Sequence, residues 1–574
     1  MNQAVSTSRT SIVRLCMPAV AAVALVSAAH AQWTDQTSTR FPTQSEYTNQ
    51  CTVLDIDGDG DLDIVWANGQ GYSSASAALA PRIYINQGVG TGVFADETST
   101  RAAGITGWFR GVEAGDIDGD GDVDLILAQD FNKRPMLLLN NGLGVFTDVS
   151  AARLPAATLS SSRAQFGDVD NDGDLDIVLC NSGTTSRFGS GQPKLYVNNG
   201  AGFFTDATSA ALPTGNISEQ MDVLFFDADN DLDLDIFLGT RASSPNQSRL
   251  WKNDGTGRFN AGTVLVNDSS AYSYDAGDID GDGDLDLIGV NAGTSSAELL
   301  LRNDGTGTTW TNISANISPN PSVDDNDSRF LDFDNDGDLD LIMGSLGTSE
   351  RLYVNNGSGV FTQNTTLFPA ISNSTLDIRV ADFNNDGRLD VITAQGESGA
   401  FQNRIYIASA SNAQDTKPPT FLALENVTTS PTPSTHVVRA NIVDGMTSDR
   451  GFHDRGVVLK WTVDAGPASQ VAMKWSGNNQ WRGVLPALLV GDNVAYWVEA
   501  TDWAGNVGIS ATKNYVEGGG PPQPGDLDRN GRVDGTDLGL LLGAWGSADP
   551  DADLNDDGSV DGSDLGLLLG NWTP

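Results

Sequence analysis

Glutamate, histidine and cysteine are scarce in this 574-residue chain, which carries ten Glu beside 65 Asp, three His and three Cys. Basic residues are also few, 32 Lys and Arg against 75 acids, for a formal net charge of −43. That balance excludes a basic nucleic-acid surface and opposes docking on anionic lipid. Too few cysteines are present for a disulfide scaffold. A zinc centre lacks ligands, and no HExxH occurs. A Ser-His-Asp triad would have to use His436 or His453, which read as ordinary strand or surface residues. A surface that is acidic only for solubility would use both carboxylates. The excess of Asp points instead to short carboxylates gathered in tight loops.

The first residues read as an export signal. Arg9 and Arg14 precede an apolar stretch over 15–28, and Ala29-His30-Ala31 offers a small-x-small cleavage site after Ala31. The rival reading, a membrane anchor, is opposed by the short stretch and by Pro18. Residues 1–31 are therefore expected to be a signal peptide, and the product secreted, extracellular or held at a surface.

Self-similarity organises the rest. Asp55-Ile56-Asp57-Gly58-Asp59-Gly60-Asp61-Leu62-Asp63 recurs at 116–124, 168–176, 227–235, 278–286, 332–340 and 382–390. An apolar, β-prone segment follows each copy, then a second strand ending in an Asn-x-Gly type of turn, then a short strand near Phe94, Phe146, Phe204, Phe259, Trp310 or Phe361. With the strand before each loop this gives four strands per repeat, the size of a propeller blade. The seventh copy stops after Arg404-Ile405-Tyr406-Ile407, while Trp33-Thr34-Asp35 matches Phe146-Thr147-Asp148. The first strand is thus expected to complete the last blade and close a seven-bladed ring over residues 32–410, removing exposed sheet edges. Cys51 and Cys180 then lie two blades apart, which argues against the bridge that an oxidising compartment would permit.

Carboxylates at alternate positions of a tight loop can surround a hard cation, and Ca²⁺ accepts such a dense oxygen cage more readily than Mg²⁺. The expected positions are Asp55, Asp57, Asp59, Asp61 and Asp63; Asp116, Asp118, Asp120, Asp122 and Asp124; Asp168, Asp170, Asp172, Asp174 and Asp176. They continue as Asp227, Asp229, Asp231, Asp233 and Asp235; Asp278, Asp280, Asp282, Asp284 and Asp286; Asp332, Asp334, Asp336, Asp338 and Asp340. The seventh set is Asp382, Asn384, Asp386, Arg388 and Asp390. The fourth member of each set is expected to offer only its backbone carbonyl. Two loops depart from the pattern. Leu232 replaces the bend glycine of the fourth, which is expected to be strained or weak, and Asn384 removes one charge from the seventh.

These residues resemble the FG-GAP or VCBS-type repeats of integrin α-like propellers and of many secreted bacterial proteins. The resemblance covers residues 32 to 410 and implies a calcium-bearing β-propeller.

Past Thr416-Lys417-Pro418-Pro419-Thr420, alternating strands such as 437–442, 457–462 and 495–501 indicate a β-sandwich over 411–517. Its ending, Tyr496-Trp497-Val498 through Asp502-Trp503-Ala504-Gly505-Asn506, resembles Ig-like or fibronectin III-like modules. Trp475 and Trp481 are read as core or strand-pairing residues before sugar-stacking ones. A Gly/Pro linker over 518–525 follows.

The last segment, 526–574, repeats a loop and an apolar helix start. Asp526, Asp528, Asn530, Arg532, Asp534 and Asp537 take positions 1, 3, 5, 7, 9 and 12 of a calcium loop, and Asp553, Asn555, Asp557, Ser559, Asp561 and Asp564 do the same. Paired loop–helix units with Asp at position 12 resemble a dockerin, which implies a cohesin-like partner. A self-contained calcium-folded tail is the plainer alternative.

The fold class expected is therefore mainly β: a seven-bladed propeller, a β-sandwich and a small α-helical dockerin-like domain. The functional expectation is a secreted calcium-binding protein of adhesion or carbohydrate-binding type, with Ca²⁺ as its cofactor. The alternative is a polysaccharide-degrading enzyme, a lyase or glycoside hydrolase, carried by the tail. The loop-and-turn topology puts the acidic loops on one face and the variable connections on the other. The ligand, a carbohydrate or surface protein, is expected on that second face near Tyr72, Arg187 and Phe188.

Overall fold

The computed structural model describes residues 32–573 apart from 243–244, 246, 266–269, 293–296, 397–398, 430–432, 519–524, 528–531, 548, 550–551 and 556. The expected signal peptide and most of the expected linker lie outside the described residues.

Seven small sheets, antiparallel except where Ile317–Ser318 joins the sixth in parallel, follow one another along residues 33–408, with a two-stranded ribbon of Ser190–Gly191 and Ile217–Ser218 beside them. Each begins with a buried strand: Thr48–Leu54, Phe109–Gly115, Ala164–Gly167, Gln220–Phe226, Ala271–Gly277, Asp325–Leu331 and Thr375–Ala381. An acidic loop then returns the chain into the second strand, which in all seven sheets starts on the loop's last aspartate, from Asp63–Asn68 to Asp390–Gln395. The second strands are apolar on both faces because sheets pack on each side of them, as in Ile64-Val65-Trp66, whose three side chains are all buried. In the last sheet the outermost strand is Trp33–Asp35, paired with Arg404–Ala408 in the register Trp33↔Ala408. Trp33 is sealed there, and its Nε1 donates to the Leu389 carbonyl at 2.8 Å.

The seven first strands touch one another in cyclic order, and Thr375–Ala381 touches Thr48–Leu54. Polar side chains stitch that circle. Gln50 accepts from Val112 N at 2.8 Å, Gln165 from Phe225 N at 2.8 Å and Asp222 from Tyr274 N at 2.7 Å. Asp275 accepts from Phe330 N at 2.9 Å, Asp327 from Ile378 N at 2.8 Å and Asp377 from Cys51 N at 2.9 Å. Arg163 and Arg329 stand among these acids, 3.4 Å from Asp377 and 3.1 Å from Asp327 respectively. The buried carboxylates at the centre are thus committed to backbone amides and guanidinium groups, as buried charges must be.

Two expectations need correction. The fourth sheet ends on Thr263–Val264, while Phe259 makes only an isolated bridge with Asn253. One-turn helices at Thr37–Arg40, Thr98–Arg101, Ser150–Arg153 and Thr208–Ala211 follow the outer strands and were not anticipated. They are built by an Asp-x-Thr/Ser signature: Asp96 accepts from Thr98 N at 3.0 Å, while the Thr98 hydroxyl accepts from Ile83 N at 2.9 Å. Asp148 and Ser150 repeat this with Leu137 N, and Asp206 and Thr208 with Leu195 N.

Residues 420–516 form two further sheets that share one core, including Val438, Leu459, Trp481, Tyr496 and Val498. Trp481 is fully buried edge-on to Phe452, and Trp475 pairs across the strands with Trp481 beneath the Arg450 guanidinium, so packing claims both rings. His436 Nε2 lies 2.9 Å from the buried Glu517 carboxylate. The side chain of His453 lies outside the described residues. Cys51 and Cys180 are free and buried in separate clusters.

The tail has helices Gly535–Gly543 and Gly562–Gly570, packed through Leu541 and Leu568 with Val533, Ala552 and Val560. Among the described residues, no helix is long and apolar enough to cross a membrane.

Candidate metal centres

In the first loop Asp55 folds the chain over its own carboxylate. Its Oδ1 accepts from Gly58 N at 2.8 Å and its Oδ2 from Gly60 N at 2.9 Å. Asp63, at the start of the second strand, accepts from Ile56 N at 3.2 Å and from Asn86 N at 2.9 Å. The turn this requires puts loop positions 4 and 6 in the left-handed region. Position 4 is Gly58, Gly119 or Gly281 in three loops and Asn171, Asn230, Asn335 or Asn385 in the others. Glycine takes position 6 except in the fourth loop, where Leu232 has φ +69°. The strain expected there is present, since a left-handed residue with a side chain costs about 1–2 kcal/mol.

One carboxylate oxygen from each of Asp55, Asp57 and Asp63 lies within 4.8 Å of the other two. Asp116, Asp118 and Asp124 repeat this, as do Asp168, Asp170 and Asp176. In the fourth and fifth loops the groups are Asp227, Asp229 and Asp231, and Asp278, Asp280 and Asp282. The third position is the most telling. Oδ1 of Asp57, Asp118, Asp170, Asp229 and Asp280 is buried with no hydrogen-bond partner in five successive loops. A buried carboxylate oxygen without a donor is costly, and a hard cation held by oxygens would satisfy it. Burial also pushes Asp63, Asp124, Asp235 and Asp286 up to about 8 and Asp340 to about 9. The donor set therefore fits Ca²⁺. Asp61 commits its own carboxylate elsewhere, accepting from Asn385 Nδ2 at 3.0 Å, and is not among the three that converge. In the seventh loop Arg388 turns aside to the Asp386 carboxylate at 3.6 Å and the Asn412 carbonyl at 3.1 Å.

The loops are tied to their neighbours in two ways that sequence reasoning missed. In three of the four loops with Asn at position 4 its amide reaches the next loop, Asn171 to Asp233 at 2.9 Å, Asn230 to Asp284 at 2.6 Å and Asn385 to Asp61 at 3.0 Å, while Asn335 donates to the Thr416 hydroxyl at 2.7 Å. The asparagine that opens each Asn-x-Gly type of turn reaches back to the position-2 carbonyl of the preceding loop. Asn140 donates to Ile56 O, Asn198 to Ile117 O, Asn303 to Ala228 O and Asn355 to Ile279 O, each at 2.8 Å. Asn253 donates to Val169 O at 2.7 Å, and Asn86 crosses from the first sheet to the last, donating to Phe383 O at 3.0 Å. Ala408 stands at this place in the seventh sheet and makes only the main-chain bond to Asp390. The repetition of Asn before Gly was the available signal.

The two-sheet unit sits on the acidic-loop face. Arg439 donates to Asp233 at 2.5 Å, to Leu232 O at 2.7 Å and to Asn171 at 2.9 Å. Asn441 donates to Asp227 at 2.7 Å and Gln480 to Leu232 O at 2.7 Å. Asp449 enters the centre of the circle, 3.2 Å from Arg329 and 3.5 Å from Arg379.

On the other face Tyr72, Arg187 and Phe188 come together. Tyr72 and Phe188 lie 5.0 Å apart, and the Arg187 guanidinium is 4.8 Å from each ring. Arg187 is only 2% exposed and faces Asp130 at 3.9 Å, so the expectation that it meets a ligand is corrected: it is packed. Tyr72 is 46% exposed.

In the tail Asp553 repeats the role of Asp55, accepting from Asp557 N at 3.1 Å and Gly558 N at 2.6 Å. Asp534 and Asp561 serve as N-caps in capping boxes closed by Asp537 and Asp564. Asp528 and Asn530 lie outside the described residues.

A family model described as an FG-GAP-like repeat matches residues 55–127, 116–179, 227–289, 278–343 and 332–393, and all seven acidic loops fall inside these matches. No curated protein matches the chain. A solved structure titled "Crystal structure of Br derivative BhCBM56" is 16% identical, covers 16% of this chain and 100% of that chain, and has a TM-score of 0.12, which is too low to carry an argument.

Proposed function

From the premise that this chain belongs to the FG-GAP-like repeat family, we propose that it is a secreted, calcium-stabilised binding protein of adhesion or carbohydrate-binding type. In this reading the seven sheets are the blades of a closed propeller, the two-sheet unit is an Ig-like or fibronectin III-like sandwich, and the tail is a dockerin-like dock for a cohesin-like partner. The observation that carries the reading is the row of five buried, unpartnered position-3 carboxylate oxygens. Arg101, Arg153, Lys252 and Arg302 pair with Oδ2 of Asp57, Asp118, Asp229 and Asp280, and calcium would satisfy the Oδ1 atoms left over. The chain's own part is to hold them in register through the asparagine stitches.

Two surfaces remain for partners. Tyr72, half exposed over Arg187 and Phe188, lies on the face that the two-sheet unit leaves open. The tail helices and the turns after them expose Leu540, Leu542 and Trp545 and, at equivalent positions, Leu567, Leu569 and Trp572. Melting the full chain in calcium and in chelator tests the metal: a large drop in chelator is expected, and superimposable melts would sink the reading. Binding to a glycan array, measured for the wild type and for Tyr72→Ala, tests the open face.

A further inference from the structure

The junction where the chain leaves the last sheet gathers acids outside every repeat. Asp415 sits on the connecting segment, its amide donating to Gly387 O at 2.6 Å. Asp444 follows strand His436–Val443, and Asp502 ends strand Asn493–Asp502. Asn506 bridges two of them, donating to Asp502 Oδ2 at 3.1 Å and to the Asp415 carbonyl at 3.4 Å. Asp444 is only 6% exposed, and its Oδ1 is buried without a hydrogen-bond partner. A small cavity of about 20 Å³ is lined by Asp382, Asp415 and Asp444 together with Arg388, Arg450 and Gly451. That is room for one water-sized occupant. Gly451 makes the space: a Cβ there would lie 2.2 Å from Asp444 Oδ2. Two cations line the cavity: the Arg388 guanidinium is engaged by Asp386 and by the Asn412 carbonyl, and that of Arg450 lies over the Trp475 and Trp481 rings. The like charges of Asp415 and Asp502, added to burial, push Asp444 well above the ordinary carboxylate range.

We propose that Asp415, Asp444 and Asp502 form a further calcium site that clamps the connecting segment to the two-sheet unit. Two of these carboxylates on one small cavity, the third beside them and one oxygen that no donor satisfies match a hard divalent cation bound through oxygen. Filling the site would fix the segment that joins the repeats to the two-sheet unit. The three carboxylates belong to no repeat loop, although Asp382 at the head of the seventh loop borders the same cavity.

Bound calcium is counted per chain after dialysis of the full-length protein, for wild type, Asp444→Ala, Asp57→Ala and the double variant. The expected losses are one ion, one ion and two ions for the three variants in turn. Melts give an independent check: Asp444→Ala should lower the melting temperature clearly in calcium and far less in chelator, where the metal-free Asp444 carboxyl is protonated and holds no ion. An unchanged calcium count in Asp444→Ala, or an equal drop in melting temperature in both conditions, overturns the site. If Asp57→Ala loses an ion while Asp444→Ala loses none, this inference fails and the repeat loops keep theirs. Should Asp444→Ala not fold, Asp415→Ala on the half-buried connection gives the same count, and an unchanged count there is equally fatal.

Discussion

Arg439 donates to the carbonyl of Leu232, the one residue at a bend-glycine position that holds a left-handed conformation with a side chain. Gln480 donates to the same oxygen and Asn441 to Asp227 at the head of the loop. The strained loop is thus gripped directly by the two-sheet unit. Its departure from the glycine pattern coincides with a docking contact.

Arg439→Ala should destabilise the chain by about 2–4 kcal/mol, because it leaves the partly buried Asp233 and Glu425 without their shared cation. Arg439→Lys should recover little of this, since one ammonium cannot serve two carboxylates and a carbonyl in that fork. Chemical denaturation of both variants in calcium checks the ranking. A full rescue by Lys would contradict it.

Asn198→Ala removes the amide that ties the third sheet to Ile117 O and also donates to Leu175 O. Leaving two buried carbonyls unmet should cost about 2–4 kcal/mol. Ala408 occupies the equivalent place without a stitch, so Ala408→Ser should cost far less. Thermal melts of the pair provide the comparison.

The pH dependence of stability should reverse with calcium. The folded-state values near 8 for Asp63, Asp124, Asp235 and Asp286 lie above the unfolded value of about 4. Without metal the fold therefore takes up protons, and the contribution of these groups is full below pH ~4 and is lost as pH rises through ~8. With calcium the ligands must be ionised, so acid displaces the ion and lowers stability. Melting temperatures between pH 5 and 8.5 should rise on acidification in chelator and fall in calcium. Parallel trends would refute the assignment of these carboxylates as ligands.

Arg187→Ala should destabilise by about 2–3 kcal/mol, because Asp130 keeps only Arg110 and the packing beneath Tyr72 and Phe188 is lost, whereas Tyr72→Ala should cost about 1 kcal/mol or less at its half-exposed site. Equilibrium unfolding separates the two. Only the Tyr72 variant is then suited to probing the open face.

Much of the repeat region was legible because its signals are local. Asp at alternate positions, a bend glycine and a following apolar triplet describe a loop feeding a buried strand, and the likeness of Trp33-Thr34 to Phe146-Thr147 pointed to the pairing of Trp33–Asp35 with Arg404–Ala408. Distance hid the rest. That Asn140 serves a carbonyl 84 residues away, or that Arg439 reaches Leu232, depends on how separate units pack, and no periodicity encodes it. Arg187 misled for the same reason: a variable connection is usually a surface, yet this one folds its charge inward onto Asp130 of another sheet. The one-turn helices are different. Their Asp-x-Thr/Ser signature was present in the sequence and simply carries little weight until the hydroxyl is seen to cap a neighbouring strand.

The pairing of the first strand with the last has a mechanical side. Whatever pulls on the tail or on the two-sheet unit delivers its load to Arg404–Ala408, the strand from which the chain departs. Were it an edge, one ladder of hydrogen bonds would resist, and the sheet would peel. It is flanked instead by Asp390–Gln395 on one side and Trp33–Asp35 on the other. Two ladders must part together before it yields, and Trp33, anchored to Leu389 O, must leave its pocket as well. A tether fastened in this way shares its tension between the two ends of the repeat region, so that the first strand of that region braces its last.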